Sequence, residues 1–64
     1  MKIQMADGSI MEPDLESGTV LDVLDRLGIN PVEVIVSVNG RLVPEDSIVH
    51  DNDELKIYRI VHGG

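Results

Sequence analysis

The 64-residue sequence contains no cysteine, no tryptophan and no phenylalanine, and a single tyrosine. Without cysteine there is no disulfide staple, no cysteine-based zinc clip and no thiol chemistry, and a reducing, cytoplasmic setting is expected. The near-absence of aromatics leaves a core built from aliphatic side chains. No apolar run is long enough to span a bilayer, and the start MKIQMADGSI lacks the apolar stretch of a secretory leader, so no membrane association is expected. Basic residues are also scarce, at five against twelve acidic ones, for a formal charge of −7. Such a balance repels phosphate backbones and argues against a nucleic-acid partner. A chain this short has room for one small core, and its stability must come from compact regular packing.

What is present is patterned. Residues 1–5, MKIQM, alternate strictly, with Met1, Ile3 and Met5 on one side and Lys2 and Gln4 on the other, as a strand with one buried face requires. Asp7-Gly8 predicts a tight hairpin turn, with residues 10–12 returning antiparallel until Pro13 ends the ladder. Thr19 is placed to cap a helix, with Asp22 three positions on, and Val20, Leu21, Val23, Leu24 and Leu27 form its apolar stripe. Gly28 closes that helix and Asn30-Pro31 prevents its continuation. A β-branched run follows, with Val34, Val36 and Val38 facing one way and Ile35 and Ser37 the other, turning at Asn39-Gly40 and resuming over residues 41–43. PEDSIVHDND is read as a loop touching the core at Ile48 and Val49, and residues 55–61 as the last strand.

One helix covers only one face of a sheet, so the order predicts an α+β two-layer domain over residues 1–61: a mixed four- to five-stranded sheet with one helix packed on one face. With the last strand slotted in the middle beside the first, this is the β-grasp arrangement. Residues 62–64 are then a flexible tail ending in Gly63 and Gly64. Three extended residues reach roughly 10 Å. Without a Cβ, the glycines let a partner's backbone and a reactive phosphate approach closely. A carboxylate is a poor electrophile at neutral pH, but conversion to an acyl adenylate opens its carbonyl to a sulfur or nitrogen nucleophile.

The segment VIVSVNGRLVPEDSIVHDNDELKIYRIVHGG, about half of the chain, together with the helix segment TVLDVLDRLGI, resembles the ubiquitin-like sulfur carriers of the ThiS and MoaD group, and most closely the small archaeal ubiquitin-like modifiers. The shared motifs are the Asn-Gly turn followed by Val-Pro, an acidic turn before the last strand, and the terminal Gly-Gly. The first strands match only in pattern. The resemblance implies that Gly64, with Gly63 as its slender neighbour, is adenylated by a partner similar to ubiquitin-activating enzymes. That partner consumes ATP, and the modifier itself holds no permanent cofactor. Sulfur then enters as a terminal thiocarboxylate for a biosynthetic acceptor, or the carboxyl group is joined to lysines of target proteins. Two departures stand out: Asp51-Asn52-Asp53 replaces the Asp-Gly-Asp of many carriers, and no proline precedes Gly-Gly as it often does in the molybdopterin branch.

Other residues are weighed the same way. Ile35, Tyr58 and Ile60 are expected on the open face of the sheet, where they form a candidate docking surface. Lys2 and Lys56 are the only lysines, and Lys56 is the better candidate acceptor for self-linkage. His50 and His62 are far apart in sequence and read as solvated residues, so no metal site is expected. Asp51-Asn52-Asp53-Glu54 lacks the glycine and distal glutamate of a calcium loop and reads as a turn. Glu45 and Asp46 have no evident cleft to make them catalytic, and neither nucleophile nor phosphate loop is present, so the chain is not expected to be an enzyme. The expectation is thus a monomeric carrier and modifier. The alternative is a non-covalent interaction module whose tail is inert.

Overall fold

A computed structural model of the chain describes residues 1–60. Val61, His62, Gly63 and Gly64, and with them the expected tail, lie outside the described residues. Five strands form the main sheet: β1 (Lys2–Gln4), β2 (Ile10–Met11), β4 (Val34–Val38), β5 (Arg41–Val43) and β7 (Glu54–Arg59), in the order β2-β1-β7-β4-β5. The last strand lies in the centre, parallel to β1 and antiparallel to β4, as the β-grasp arrangement requires.

Alternation along the strands explains the core. Ile3, Val36, Leu55 and Ile57 point to one face and are buried there against Val20, Val23 and Leu24 of the helix α1 (Val20–Leu27). Met1, Met5, Val34, Val38 and Val43 pack around this cluster. The helical stripe is narrower than the sequence suggests, since Leu21 is exposed. The Thr19 hydroxyl accepts from the Asp22 N–H at 3.1 Å, while the Asp22 carboxylate accepts from the Thr19 N–H at 2.9 Å. This is the reciprocal capping box that the spacing predicts. Gly28, at a left-handed φ of 73°, closes the helix, and Asn30 then caps a single 3₁₀ turn at Pro31–Glu33.

One expectation is corrected. The segment read as a loop contains strand β6 (Ile48–His50), which pairs antiparallel with β3 (Ser17–Thr19) to form a second, two-stranded sheet. Val49 makes more than a touch with the core: it is fully buried. Ser17-Gly18-Thr19 has little side-chain preference for a strand, and it is backbone pairing with a partner some thirty positions away that makes it one. Gly18 also makes room for the helix cap, because a Cβ at that position would meet an Asp22 carboxylate oxygen at 3.0 Å. The turn before β6 completes the helix start: the Val20 and Leu21 N–H groups donate to the carbonyls of Ser47 and Glu45, both at 2.9 Å. Donors that a helix N-terminus otherwise leaves unpaired are thereby satisfied by the chain's second half.

Candidate functional site: the open sheet face and the end of the central strand

The face of the sheet away from α1 carries no covering element among the described residues. Register assigns its residues in rows, since directly opposed residues share a face. Ile35 on β4 stands opposite Tyr58 on β7. The next row runs Ile10, Gln4, Lys56, Ser37, Leu42 across all five strands. Beyond it, Lys2 stands opposite Glu54.

Ile35 and Tyr58 are 44% and 40% exposed, and Ile60, two residues beyond Tyr58, is similarly open. Of the three expected docking residues, Ile35 and Tyr58 stand together on this face, and Ile60 is exposed just past the end of β7. Leu42, 65% exposed, and Ile10 extend the apolar surface to both edges, and neither was assigned to it from sequence. The signal for Leu42 was the two-residue Asn39-Gly40 turn, whose length fixes Leu42 opposite Ser37. Ser37 itself is buried although it belongs to the open face, because Lys56 and Leu42 flank it in register on either side.

Lys56 is exposed, with Nζ 5.5 Å from the centre of the Tyr58 ring, so the aliphatic stem lies along the strand and the ammonium sits over the aromatic face. Lys2 lies on the same face of the neighbouring strand. A shallow groove of about 350 Å³ crosses the face past Lys2, Ser37, Glu54, Lys56 and Tyr58. A chain of net charge −7 thus presents both of its lysines and the exposed Ile10, Ile35, Leu42 and Tyr58 on one side.

β7 delivers the chain to its final residues from the middle of the sheet. It pairs with β1 over residues 54–56 and with β4 over residues 55–59, and one residue past its end the Ile60 N–H donates to the Glu33 carbonyl at 2.8 Å. The strand's opposite end is pinned as well. Asp53 accepts the His50 N–H at 2.8 Å and an Asn39 amide N–H at 3.0 Å, while the Asn39 side-chain oxygen accepts the Glu54 N–H at 3.0 Å. The His50 N–H, then the Asn39 amide, hold the Asp53 carboxyl below the usual carboxylate range. Asp7 is lowered in the same sense by the Ser9 hydroxyl and N–H in the β1–β2 turn.

The remaining residues singled out from sequence lie elsewhere. His50 is exposed on β6, and Asp51 and Asn52 form an exposed turn. Glu45 and Asp46 are exposed in the turn before β6. No group of three or more potential metal-ligating side chains occurs among the described residues, and none of their helices is long and apolar enough to cross a membrane. Gly63, Gly64 and His62 lie outside the described residues.

A five-stranded mixed sheet with the last described strand at its centre and one helix on one face defines a class, that of the β-grasp folds. The fold matches the crystal structure of the thiamine biosynthesis protein ThiS from Geobacter metallireducens with a TM-score of 0.70 at 24% identity, over the whole of both chains. A solution structure of a thiamine biosynthesis protein from the same organism matches with a TM-score of 0.64 at 23% identity, covering all of this chain and 88% of that one. The family model described as small archaeal modifier protein 2 matches residues 1–61. Small archaeal modifier protein 2 of Haloferax volcanii is 41% identical over 49 residues, which is 77% of this chain and 73% of that protein. The chain belongs to the small archaeal modifier protein 2 family, with a ThiS-like β-grasp fold.

Proposed function

We propose that this small modifier acts as a substrate rather than as an enzyme. An activating enzyme uses ATP to adenylate the Gly64 carboxylate: a carboxylate oxygen attacks the α-phosphate and pyrophosphate leaves. Hydrosulfide or a lysine amine then attacks the acyl carbon and displaces AMP, the amine losing a proton. The product is a terminal thiocarboxylate for sulfur transfer, or an isopeptide bond to a target protein. Family membership carries this reading, together with Gly63-Gly64 in sequence shortly after a central strand that pairs with β1 on one edge and β4 on the other. The activating enzyme docks on the open face through Ile35, Tyr58 and Ile60, joined by Leu42. Lys56 is the acceptor for self-linkage, its amine being exposed at the centre of that face.

The mass of the chain isolated from its native cells tests the chemistry. Replacement of a terminal oxygen by sulfur raises the mass by about 16 Da. Conjugation instead leaves residues 60–64 as a branched remnant on target lysines after cleavage at Arg59. Absence of both marks contradicts the proposal. In that case the uncovered apolar face supports the second reading, a non-covalent interaction module, and Ile60→Asp would abolish function while loss of the final glycines would not.

A further inference from the structure

The Asn39-Gly40 turn takes no part in the chemistry proposed above, yet it brings together a reactive pair. Asn39 has a φ of 51° and Gly40 one of 87°, between the paired Val38 and Arg41, as in the two-residue hairpin turns that favour Asn-Gly. Both residues are exposed. Glycine at the second position leaves the backbone nitrogen unshielded by any Cβ, and that nitrogen is one ring closure away from the Asn39 side-chain carbonyl carbon. The fold ties up the Asn39 side chain. Asn39 Nδ2 donates to Asp53 Oδ1 at 3.0 Å, and Asn39 Oδ1 accepts from the Glu54 N–H at 3.0 Å, so both polar atoms of the amide are tied to the start of β7 and the residue before it. The other Asp53 oxygen is fixed by the His50 N–H at 2.8 Å. Turning Cγ toward the Gly40 nitrogen breaks both amide bonds, because hydrogen bonds weaken steeply away from linearity.

We propose that Asn39-Gly40 is a site of spontaneous deamidation held in check by Asp53. The Gly40 nitrogen attacks Asn39 Cγ and the Cγ–Nδ2 bond breaks. Ammonia leaves with the proton that the Gly40 nitrogen carried, and a five-membered succinimide remains. Solvent water then adds to either ring carbonyl, giving aspartate or isoaspartate at position 39. The balance is one water consumed and one ammonia released, with no change of oxidation state. Either product loosens the join between the β4–β5 turn and the start of the central strand. Aspartate removes the Nδ2 donor and sets a second carboxylate against Asp53, whereas isoaspartate lengthens the backbone of a two-residue turn by one methylene.

The test compares the full chain with Asp53→Ala and with Val49→Ala, a core variant that keeps the amide tied, at temperatures where the two variants are equally unfolded. Peptide mass mapping follows the gain of about 1 Da and the appearance of isoaspartate at position 39. Asp53→Ala is expected to convert roughly tenfold faster than the unaltered chain, the change expected from losing a hydrogen bond to a charged group. Val49→Ala should convert more slowly than Asp53→Ala, and the chain unfolded in urea fastest of all. Asp53→Asn, which keeps an acceptor oxygen, should fall between the unaltered chain and the alanine variant. Asn30, followed by Pro31 with no N–H to attack, serves as a slow internal reference. The proposal is overturned by equal rates for Asp53→Ala and the unaltered chain, by equal rates for the two matched variants, or by no conversion in urea.

Discussion

The two faces of the central sheet are made from alternate residues of the same five strands, yet they have opposite fates. On the helix side, Ile3, Val36, Leu55 and Ile57 are almost wholly removed from water. On the other side, Ile35, Tyr58, Leu42 and Ile10 remain between about two-fifths and two-thirds exposed and lie among both lysines. Burial of apolar surface stabilises the fold only where water is excluded, so the first set holds the domain together and contributes most of its stability. The second set adds little to folding and leaves an apolar, partly basic surface free for another protein. Along β7 the two roles change at every step, from Leu55 to Lys56 to Ile57 to Tyr58.

The sharpest way to break this division is to truncate neighbours on β7. Ile57→Ala is expected to cost about 2–5 kcal/mol, comparable with the whole stability of so small a domain, and urea unfolding should show it largely unfolded. Tyr58→Ala, one residue away, should shift the unfolding midpoint by less than about 1 kcal/mol. In a binding assay with the activating enzyme, the same change and Ile35→Asp should each weaken association by about 2 kcal/mol, roughly thirtyfold. A large stability loss in Tyr58→Ala with no loss of binding would erase the distinction between the faces.

Smaller effects test what frames the covered face. Thr19→Ala removes the acceptor for the Asp22 N–H and is expected to cost about 1 kcal/mol in thermal or urea unfolding. Acid sharpens the account of the far end of β7. Asp53 has its folded pKa below the ordinary 3.8, first through the His50 N–H and then through Asn39. Its ionised form is thus favoured in the folded state, and that stabilisation is full above the ordinary aspartate range. It is lost as pH falls through the depressed folded value. Unfolding followed by circular dichroism on acidification should therefore show a weaker pH dependence in Asp53→Ala, with Asp7 supplying a residual dependence in the same direction.

Much of the architecture is legible in short-range signals. Thr19 and Asp22 mark the helix start and Gly28 its end, Asn39-Gly40 marks the hairpin, and alternation in residues 55–58 separates Leu55 and Ile57 from Lys56 and Tyr58. Each depends on residues within a few positions of one another. The β3–β6 ribbon was not legible, because Ser17-Gly18-Thr19 acquires strand geometry only by pairing with Ile48–His50. The tie from Asn39 to Asp53 and Glu54 was missed for the same reason: it joins residues fourteen and fifteen positions apart. Within the candidate site, the shared face of Ile35 and Tyr58 followed from strand alternation. Ile10 was missed because a strand of two residues carries too little pattern to assign a face, and Leu42 because its face is set by the length of the Asn39-Gly40 turn rather than by its own short strand.

The most direct test of the central proposal measures ATP–pyrophosphate exchange by the activating enzyme with the full chain and with a chain lacking Gly63 and Gly64. The account predicts that both chains unfold at the same denaturant concentration and that only the full chain supports exchange. Undiminished exchange with the shortened chain would contradict it.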